Sequence, residues 1–307
     1  MEDRAMSGSV LYDVPGPRAV VRNRILGVVT VLVVAALFGW VIWRFAATGQ
    51  FSAEKWEIFG YTQIWVLIGQ GVLNTLSAFA VAAVGAIILG FVLSLGRMSE
   101  HAWLRVPVGW IVEVLRAIPV LVFMMLLYYG LPIAGIKMSP YWAVVISLIA
   151  YNGSVLAEVI RAGVESLPRG QSEAGYAIGL RKTGVMQLIL LPQAIRAMLP
   201  VIIAQLVVTL KDTALGFIIT YHELLYVIKL LGSNAVYHSP LIPAAIVGGS
   251  IYVAMCLALS YVAYLVEKRT RRSPKVVTLD DGGGEPTTAT ETIAAQRGLG
   301  KYDAQGF

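Results

Sequence analysis

Charged residues that interrupt long apolar stretches are the first candidates for chemistry in this sequence. Glu113 and Arg116 stand three residues apart, and Lys211 and Asp212 are adjacent, each pair beside a run without charge. Ionisable groups are costly in lipid and usually face a bundle interior or a water-filled path. Both pairs are therefore predicted to line a pathway for a polar solute. A purely structural ion pair is the competing interpretation for each.

The spacing around the first pair predicts a broken helix. Glu113 and Arg116 share one face of a helix and can neutralise each other. Pro119 follows one turn later and is predicted to end that helix, because proline lacks an N–H donor and clashes with the preceding turn. Backbone groups freed at such a break can line a cavity.

The composition requires a membrane around these residues. Of the 307 residues, 57% are hydrophobic and 14% are charged, against about 25% charged in soluble domains, and the mean hydropathy is +0.73. The hydrophobic residues are numerous enough for six transmembrane spans of about 20 residues each. The predicted fold class is therefore all-α, a polytopic membrane protein with about six transmembrane helices.

The uncharged runs place the predicted segments along the chain. For the first uncharged run, at 25–43, a cleaved signal peptide is the alternative interpretation. This run is longer than the 7–15 apolar residues of a signal peptide. The predicted spans lie at 25–43, 71–96, 117–136, 138–157, 197–219 and 242–266, with an interfacial stretch at 56–70. The predicted organisation is a tail at 1–24, an additional first helix at 25–47, a transmembrane domain at 64–269 with a connecting loop at 161–196, and a disordered tail at 270–307.

The distribution of basic residues predicts the orientation. With six spans and both termini inside, 18 of the 24 Lys and Arg residues fall inside and four fall outside, namely Arg44, Lys55, Lys137 and Lys229. Basic residues collect in cytoplasmic loops. The sequence thus predicts a multi-pass protein of the cell membrane with both termini cytoplasmic. The same distribution explains the net charge of +6 without nucleic acid.

The loop between the fourth and fifth spans carries a compact pattern of small residues. Glu173, Ala174 and Gly175 are followed by Gly179, and nine residues later by Ile189, one residue, and Leu191-Pro192. Small side chains allow a short helix to lie close against another surface, and Gly179 can end that helix in a left-handed cap. A loop that packs only on its own bundle is the simpler alternative.

This spacing resembles the EAA signature of ABC importer permeases, with Gly175 in place of the second alanine of the signature. The resemblance implies the permease fold of type I ABC importers. In that family the loop is a coupling helix that inserts into a separate ATP-hydrolysing subunit. The coupling role is carried here onto Glu173, Ala174, Gly175 and Gly179.

Further motifs resemble the polar amino-acid branch of these permeases, and they cover about Gly71 to Arg269. The motifs are Gly71-Val72-Leu73-Asn74-Thr75-Leu76, Glu113-Val114-Leu115-Arg116-Ala117-Ile118-Pro119, Leu191-Pro192-Gln193-Ala194-Ile195-Arg196, Lys211-Asp212-Thr213-Ala214-Leu215 and Glu223-Leu224. The additional first helix and Tyr12-Asp13-Val14-Pro15-Gly16-Pro17 resemble permease subunits of actinobacterial glutamate importers. The resemblance therefore implies import of a polar amino acid, glutamate above all.

An amino-acid substrate assigns expected roles to the mid-span polar residues. Asp212 is the candidate partner for the substrate ammonium, and Thr213 can donate to the substrate carboxylate. Gln205 is seven residues before Asp212 and shares its helix face. The neutral Gln205 cannot compensate a guanidinium, which favours glutamate, glutamine or another polar amino acid over arginine. Lys211, Glu113 and Arg116 complete the predicted pathway.

Missing motifs define the partners. The sequence has no Gly-x-x-x-x-Gly-Lys-Ser/Thr loop, so ATP and Mg²⁺ are expected on a partner subunit, and this chain is expected to be a transporter subunit without a cofactor, metal site or enzymatic activity of its own. The resemblance implies a second permease, in a heterodimer. The sequence offers no extracellular segment large enough for a solute-binding domain, so a separate solute-binding protein is also expected. An ion-gradient-driven transporter is the alternative, although the inverted repeats of that class are not evident.

Overall fold

A computed structural model describes residues 16–270, and every regular element in that range is helical. The helix predicted to begin near residue 25 already begins at Pro17, so Arg18, Arg22 and Arg24 belong to its first turns rather than to a preceding tail. Pro at the first helical position accounts for this start, because its fixed φ suits a helix and its missing N–H has no intrahelical role there. Residues 1–15 and the tail predicted after residue 270 lie outside the described range.

Nine helices organise the described part of the chain. They are α1 (Pro17–Ala47), α2 (Thr62–Arg97), α3 (Ala102–Ala117), α4 (Val120–Met125), α5 (Pro140–Glu165), α6 (Arg169–Ala177), α7 (Leu191–Asp212), α8 (Leu224–Gly232) and α9 (Leu241–Thr270). Shorter helical pieces connect them: Ala53–Trp56, Glu57–Gly60, Leu126–Gly130, Leu131–Ile133, Lys182–Gly184, Val185–Leu190, Thr213–Ile219 and Ala235–Tyr237. Two of the connecting pieces, Leu126–Gly130 and Val185–Leu190, are π-helical.

Five helical runs of the described chain are long and apolar enough to cross a membrane, and a bent pair makes a sixth. The bent pair is α3 and the run Val120–Ile133, which meet at 95°. The predicted break is confirmed, because α3 ends at Ala117 and Pro119 stands as the N-cap of α4. The residue before a proline is driven out of the helical region, and Ile118 has an extended ψ of 121°.

Two predicted boundaries are wrong. The stretch at 56–70 is not a separate interfacial segment, because α2 runs without a break from Thr62 to Arg97. The loop predicted at 161–196 is also too long. α5 continues to Glu165, and a single helical run leads from Lys182 to Ile219. α5 continues through charged residues beyond its apolar run, whereas the first part of α2 is itself apolar, from Ile64 to Ile68, and the sequence pattern assigned it to the interface instead of the span.

The core forms where α2 packs against α5, the most extensive helix pairing in the described chain. Small residues permit this close approach. A Cβ atom on Gly90 would lie 2.8 Å from Leu156 Cβ and 3.0 Å from the Gly153 carbonyl oxygen. A Cβ atom on Gly153 would in turn lie 2.9 Å from Leu89 Cδ2. The two helices therefore touch through mutually placed glycines.

We expect Gly90→Ala to destabilise the bundle, because the added methyl meets backbone and Cβ atoms that have no room to move. Overpacking of this kind costs about 1–3 kcal/mol. Gly69→Ala is the matched control in the same helix, since a Cβ there has nothing within 4 Å. Alanine favours a helix over glycine by about 1 kcal/mol, so this control is expected to be neutral or slightly stabilising. Thermal unfolding in detergent measures both, and equal effects would contradict the close contact between α2 and α5.

Candidate functional site

The short helix α6 is the element that the EAA-like pattern predicted, and its end has the predicted geometry. Gly179 has φ +83°, in the left-handed region that favours glycine. The Leu180 N–H donates to the Gly175 carbonyl at 3.1 Å, and the Gly179 N–H donates to the Tyr176 carbonyl at 2.9 Å. These two bonds are those of a Schellman cap. α6 therefore ends at this cap, before the next helical piece begins at Lys182.

The four residues assigned to coupling occupy two different environments. Gly175 is buried, and a Cβ there would lie 2.8 Å from Val185 Cγ2 and 2.9 Å from Ile189 Cδ1. Glu173 and Ala174 are exposed. Gly175 and Gly179 thus shape α6 and hold it on the bundle, whereas Glu173 and Ala174 face away from the described residues.

The outward face of α6 and its cap carries apolar side chains beside the carboxylate of Glu173. Tyr176 is 47% exposed and Ile178 is 77% exposed. α6 has 9 residues and only Gly175 is buried, so this is not a membrane span. Exposed apolar residues on a polar helix of this kind are typical of a protein-interaction surface.

An ion pair ties the segment after α6 to the loop between α2 and α3. Lys182 Nζ lies 2.7 Å from Glu100 Oε1, and this ammonium lowers the pKa of the Glu100 carboxyl. A groove of about 550 Å³ opens between these two segments, with Leu104, Val108 and Met186 among its apolar walls. The same end of the bundle, which we call the α6 end, holds the other ion pairs of the described chain.

Arg97, the last residue of α2, is the centre of those ion pairs. Its guanidinium lies 2.8 Å from Glu158 Oε1 in α5 and 3.5 Å from Glu113 Oε1 in α3. Glu158 also accepts from Arg161, which contacts Glu165 as well. The predicted neutralisation of Glu113 by Arg116 is wrong: Glu113 pairs with Arg97, and Arg116 is exposed and in no ion pair with described residues. Arg97 thus joins α2, α3 and α5.

The mid-span residues differ in what they can offer to a solute. Asp212, at the end of α7, is half-buried, and Lys211 beside it is exposed. No ion pair joins these two side chains within the part of the chain that the structure describes, and the substrate role of Asp212 stays a prediction. Thr213 is fully buried, and its hydroxyl donates to the Leu210 carbonyl at 2.6 Å. Asp212 therefore retains a carboxylate for a ligand, whereas the Thr213 hydroxyl is already used within the helix.

Gln205 connects α7 to α5. Its Nε2 donates to Asn152 Oδ1 at 2.8 Å, and Asn152 is fully buried. The Asn152 amide in turn donates to the Leu148 carbonyl at 2.9 Å. The Gln205 amide group is thus oriented by a buried partner that the sequence pattern did not reveal.

A buried carboxylate at the opposite end of the bundle was not assigned a role from the sequence. Glu223 is fully buried at the N-terminus of α8, where it accepts from the Leu225 and Tyr226 N–H groups, each at 2.7 Å. Tyr252 in α9 donates to it at 2.8 Å. Burial raises the pKa of the Glu223 carboxyl to about 7, against these three hydrogen bonds, which favour the ionised form. This end of the bundle is called the α8 end.

Thr75 and Asn74 in α2 complete the cluster at the α8 end. The Leu224 N–H donates to Thr75 Oγ1 at 3.1 Å, and Asn74 Nδ2 donates to the His222 carbonyl at 2.8 Å. α8 is therefore fixed to both α2 and α9 by polar contacts. Asn74, Thr75 and Glu223 belong to motifs that the sequence displays, but their mutual contact depends on the tertiary fold.

A family model described as "Binding-protein-dependent transport system inner membrane component" matches residues 86–272. The match includes α3 to α9, the α6 segment and Asp212. The chain belongs to this family. It is a multi-pass membrane subunit of an ABC importer and not an enzyme.

Similar proteins narrow the class of cargo. The glutamate transport system permease protein GluD of Corynebacterium glutamicum is 38% identical over 230 residues, covering 74% of this chain and 83% of that protein. The arginine transport system permease protein ArtQ of Bacillus subtilis is 31% identical over 207 residues, covering 66% and 91%. A crystal structure of an amino-acid ABC transporter with histidines matches with a TM-score of 0.62 at 28% identity, covering 69% of this chain and 97% of that one.

These relatives confirm the predicted fold and the predicted class, an ABC importer permease for amino acids. They decide against the ion-gradient-driven alternative, because the matching family is defined by binding-protein-dependent transport. The predicted separation of roles is also confirmed, since permease subunits of this kind depend on a separate ATPase subunit.

Proposed function

We propose that this chain is a permease subunit of an ATP-driven glutamate importer and that α6 docks against the ATP-hydrolysing subunit. The observation that carries the docking is the outward face of α6, where Glu173 and Ala174 stand beside exposed Tyr176 and Ile178. The similarity to the glutamate permease of C. glutamicum supports the choice of cargo.

The proposed mechanism transmits motion from α6 to Asp212 along one helical run. α6 contacts Val185 and Ile189 through Gly175, and these two residues belong to the π-helical piece that continues into α7. α7 ends at Asp212. Single-turn π-helical pieces within a helix are rare and are frequently found at functional sites. Closure of the ATPase subunits therefore displaces α7 and changes the access to Asp212.

The proposed orientation places the α6 end in the cytoplasm and the α8 end outside. It rests on the distribution of basic residues, which leaves Arg44, Lys55, Lys137 and Lys229 on the outer side. Both termini are then cytoplasmic. The proposed partners are two ATP-binding subunits carrying ATP and Mg²⁺, a second permease in a heterodimer, and a solute-binding protein that docks at the α8 end.

Asp212 is the proposed partner of the substrate ammonium, and Gln205 is the proposed filter against cationic side chains. Gln205 Nε2 donates to Asn152 Oδ1, so the side-chain carbonyl oxygen of Gln205 is left for the pathway. A neutral oxygen cannot offset the charge of a guanidinium. Lys211 and Arg116 supply exposed positive charge for an acidic side chain. Glu113 remains in the proposed pathway as the exposed partner of Arg97.

Competition uptake tests the choice of cargo. The complete transporter with its binding protein, in proteoliposomes that contain ATP, is expected to take up labelled glutamate. An excess of unlabelled glutamate is expected to abolish the signal, whereas the same excess of arginine leaves it unchanged. Arginine that competes as strongly as glutamate would contradict the assignment of Gln205.

We expect Asp212→Asn to impair uptake with little effect on assembly. The substitution keeps the shape of the side chain and removes the charge offered to the ammonium, and hydrogen bonds to charged groups contribute about 1.5–3 kcal/mol. The half-saturation concentration for uptake should therefore rise by about tenfold or more. Gel filtration of the complete complex provides the control for assembly. Unchanged saturation in an assembled Asp212→Asn complex would remove Asp212 from the pathway.

A further inference from the structure

Helix α1 leaves a space between itself and the rest of the bundle at the α8 end. None of its residues is buried, although it is 31 residues long and apolar enough to span a membrane. Its last turn and the first turn of α9 border a cavity of about 490 Å³. The described chain does not fill this gap, so in the membrane-embedded transporter it is open to another molecule: a lipid, a small ligand or a partner subunit.

The lining of this cavity has positive charge and no carboxylate. Arg44 and Lys55 contribute the charges, and Ser239 contributes a hydroxyl group. The Thr48 hydroxyl also borders the cavity, but it donates to the Arg44 carbonyl at 2.9 Å. Lys55 is half-buried and is held by a hydrogen bond of 3.1 Å to Gln50 Oε1. Arg44 has no ion pair with any residue that the structure describes, and its guanidinium remains available for an anion.

The N-terminus of α9 adds to the positive electrostatic potential in this cavity. The first turn of α9 contributes Leu241 and Ile242 to the lining, and the first turn of a helix carries the positive end of the macrodipole. The 30 residues of α9 make this a full-length dipole. Two cations that face one cavity, beside the positive end of a helix dipole, favour a phosphate group. The dipole adds only to the potential, because the Leu241 N–H already donates to the Ser239 carbonyl at 2.8 Å and Pro243 has no N–H.

The position of the cavity relative to the membrane and its apolar walls favour a lipid headgroup over a free anion. Trp40, Trp43 and Trp56 are exposed near this end of α1 and on the adjoining connection, and tryptophan is typical of the membrane–water interface. Phe45 and Leu241 provide apolar walls that continue onto the exposed faces of α1 and α9. An acyl chain fits such walls, whereas a free phosphate gains nothing from them.

We propose that the cavity between α1 and α9 binds the phosphodiester headgroup of an anionic phospholipid, with Arg44 and Lys55 as its ligands. The acyl chains then lie along α1 and connect it to the bundle. Neither the substrate nor the coupling role of α6 enters this proposal, so it does not depend on the proposed function.

Lipid retention of the purified complete transporter tests the proposal. The complex in mild detergent is mixed with phosphatidylglycerol or phosphatidylcholine vesicles, repurified, and its bound lipid is measured by mass spectrometry. Arg44→Gln/Lys55→Gln is expected to lower retained phosphatidylglycerol about tenfold, because each basic residue near a membrane surface contributes to anionic-lipid binding. Lys137→Gln is the matched control, an exposed basic residue predicted on the same side of the membrane.

The outcomes separate the sources of the anion. The site is supported if the wild type and Lys137→Gln retain more phosphatidylglycerol than phosphatidylcholine and the double variant loses this preference. Arg44→Gln alone, which breaks no ion pair within the described chain, should lower retention about threefold and so does not depend on the folding of the double variant. Equal retention in all variants, or displacement of the lipid by millimolar inorganic phosphate, would overturn the proposal.

Discussion

Replacing Glu173 with lysine is expected to reduce ATP-dependent uptake by at least tenfold while leaving the permease folded. Glu173 is exposed on α6 and makes no ion pair with any described residue, so its reversal costs the isolated chain little. At an interface, removal of one buried charged partner costs about 2–5 kcal/mol. Docking of the ATPase subunit and the transport that depends on it should therefore be lost together.

The matched control for this charge reversal is Glu57→Lys. Glu57 is also exposed in a short helical piece, but it lies in the connection between α1 and α2, far along the chain from α6. Co-purification of the ATPase subunit and vesicle uptake are measured for both variants. Uptake that persists in Glu173→Lys, at the level of Glu57→Lys, would show that α6 does not couple the subunits.

Replacing Glu223 with alanine is expected to destabilise the bundle more than Gly90→Ala does. The change leaves the Leu225 and Tyr226 N–H groups and the Tyr252 hydroxyl without their acceptor. Hydrogen bonds to charged groups contribute about 1.5–3 kcal/mol each, and a helix cap contributes about 1 kcal/mol. The loss should therefore reach about 3 kcal/mol or more after relaxation. Thermal unfolding of the purified complex measures it.

Tyr252→Phe provides the graded comparison for the cluster at the α8 end. It removes only the hydroxyl that donates to Glu223 and keeps the ring in α9. The expected loss is about 1–2 kcal/mol, smaller than for Glu223→Ala, because the two backbone donors retain their acceptor. A larger loss in Tyr252→Phe than in Glu223→Ala would mean that Glu223 does not hold α8 in place.

Local features of the fold followed from the sequence because their causes are local. Pro119 ends α3 through its own ring, and Gly179 ends α6 because the left-handed cap requires φ +83°. Both effects involve only neighbouring residues. The number of spans followed from apolar length in the same way. The start of α2 did not, since the apolar residues from Ile64 to Ile68 suit an interfacial segment as well as a span. The start of the run that contains α7 did not either, since this run continues through polar residues back to Lys182.

Partner choice among polar side chains was not predictable from spacing. Glu113 was expected to pair with Arg116 on its own helix, but the fold brings Arg97 to both Glu113 and Glu158. Several carboxylates on neighbouring helices compete for one guanidinium, and the outcome depends on how the helices cross. The π-helical pieces at Leu126–Gly130 and Val185–Leu190 were missed for a related reason, because the surrounding packing selects such a bulge.

The candidate site also has some features that the sequence predicts and others that depend on the tertiary fold. The sequence singled out the α6 segment and Asp212 as candidates, because their residue types are informative by themselves. It did not show that Gly175 faces the bundle while Glu173 faces outward, nor that Thr213 is occupied within its own helix. Gln205 was noted for its neutrality, but its bond to buried Asn152 appears only in the fold.

The energy source of uptake, measured on the complex that this chain assembles, is the most direct test of the proposed importer. A tag on this chain is used to purify its native membrane complex, which is identified by mass spectrometry and placed in proteoliposomes with the binding protein. We predict recovery of an ATPase subunit and a second permease, and glutamate uptake that requires enclosed ATP and is insensitive to ionophores. Uptake by the chain alone that follows an ion gradient without ATP would contradict this function.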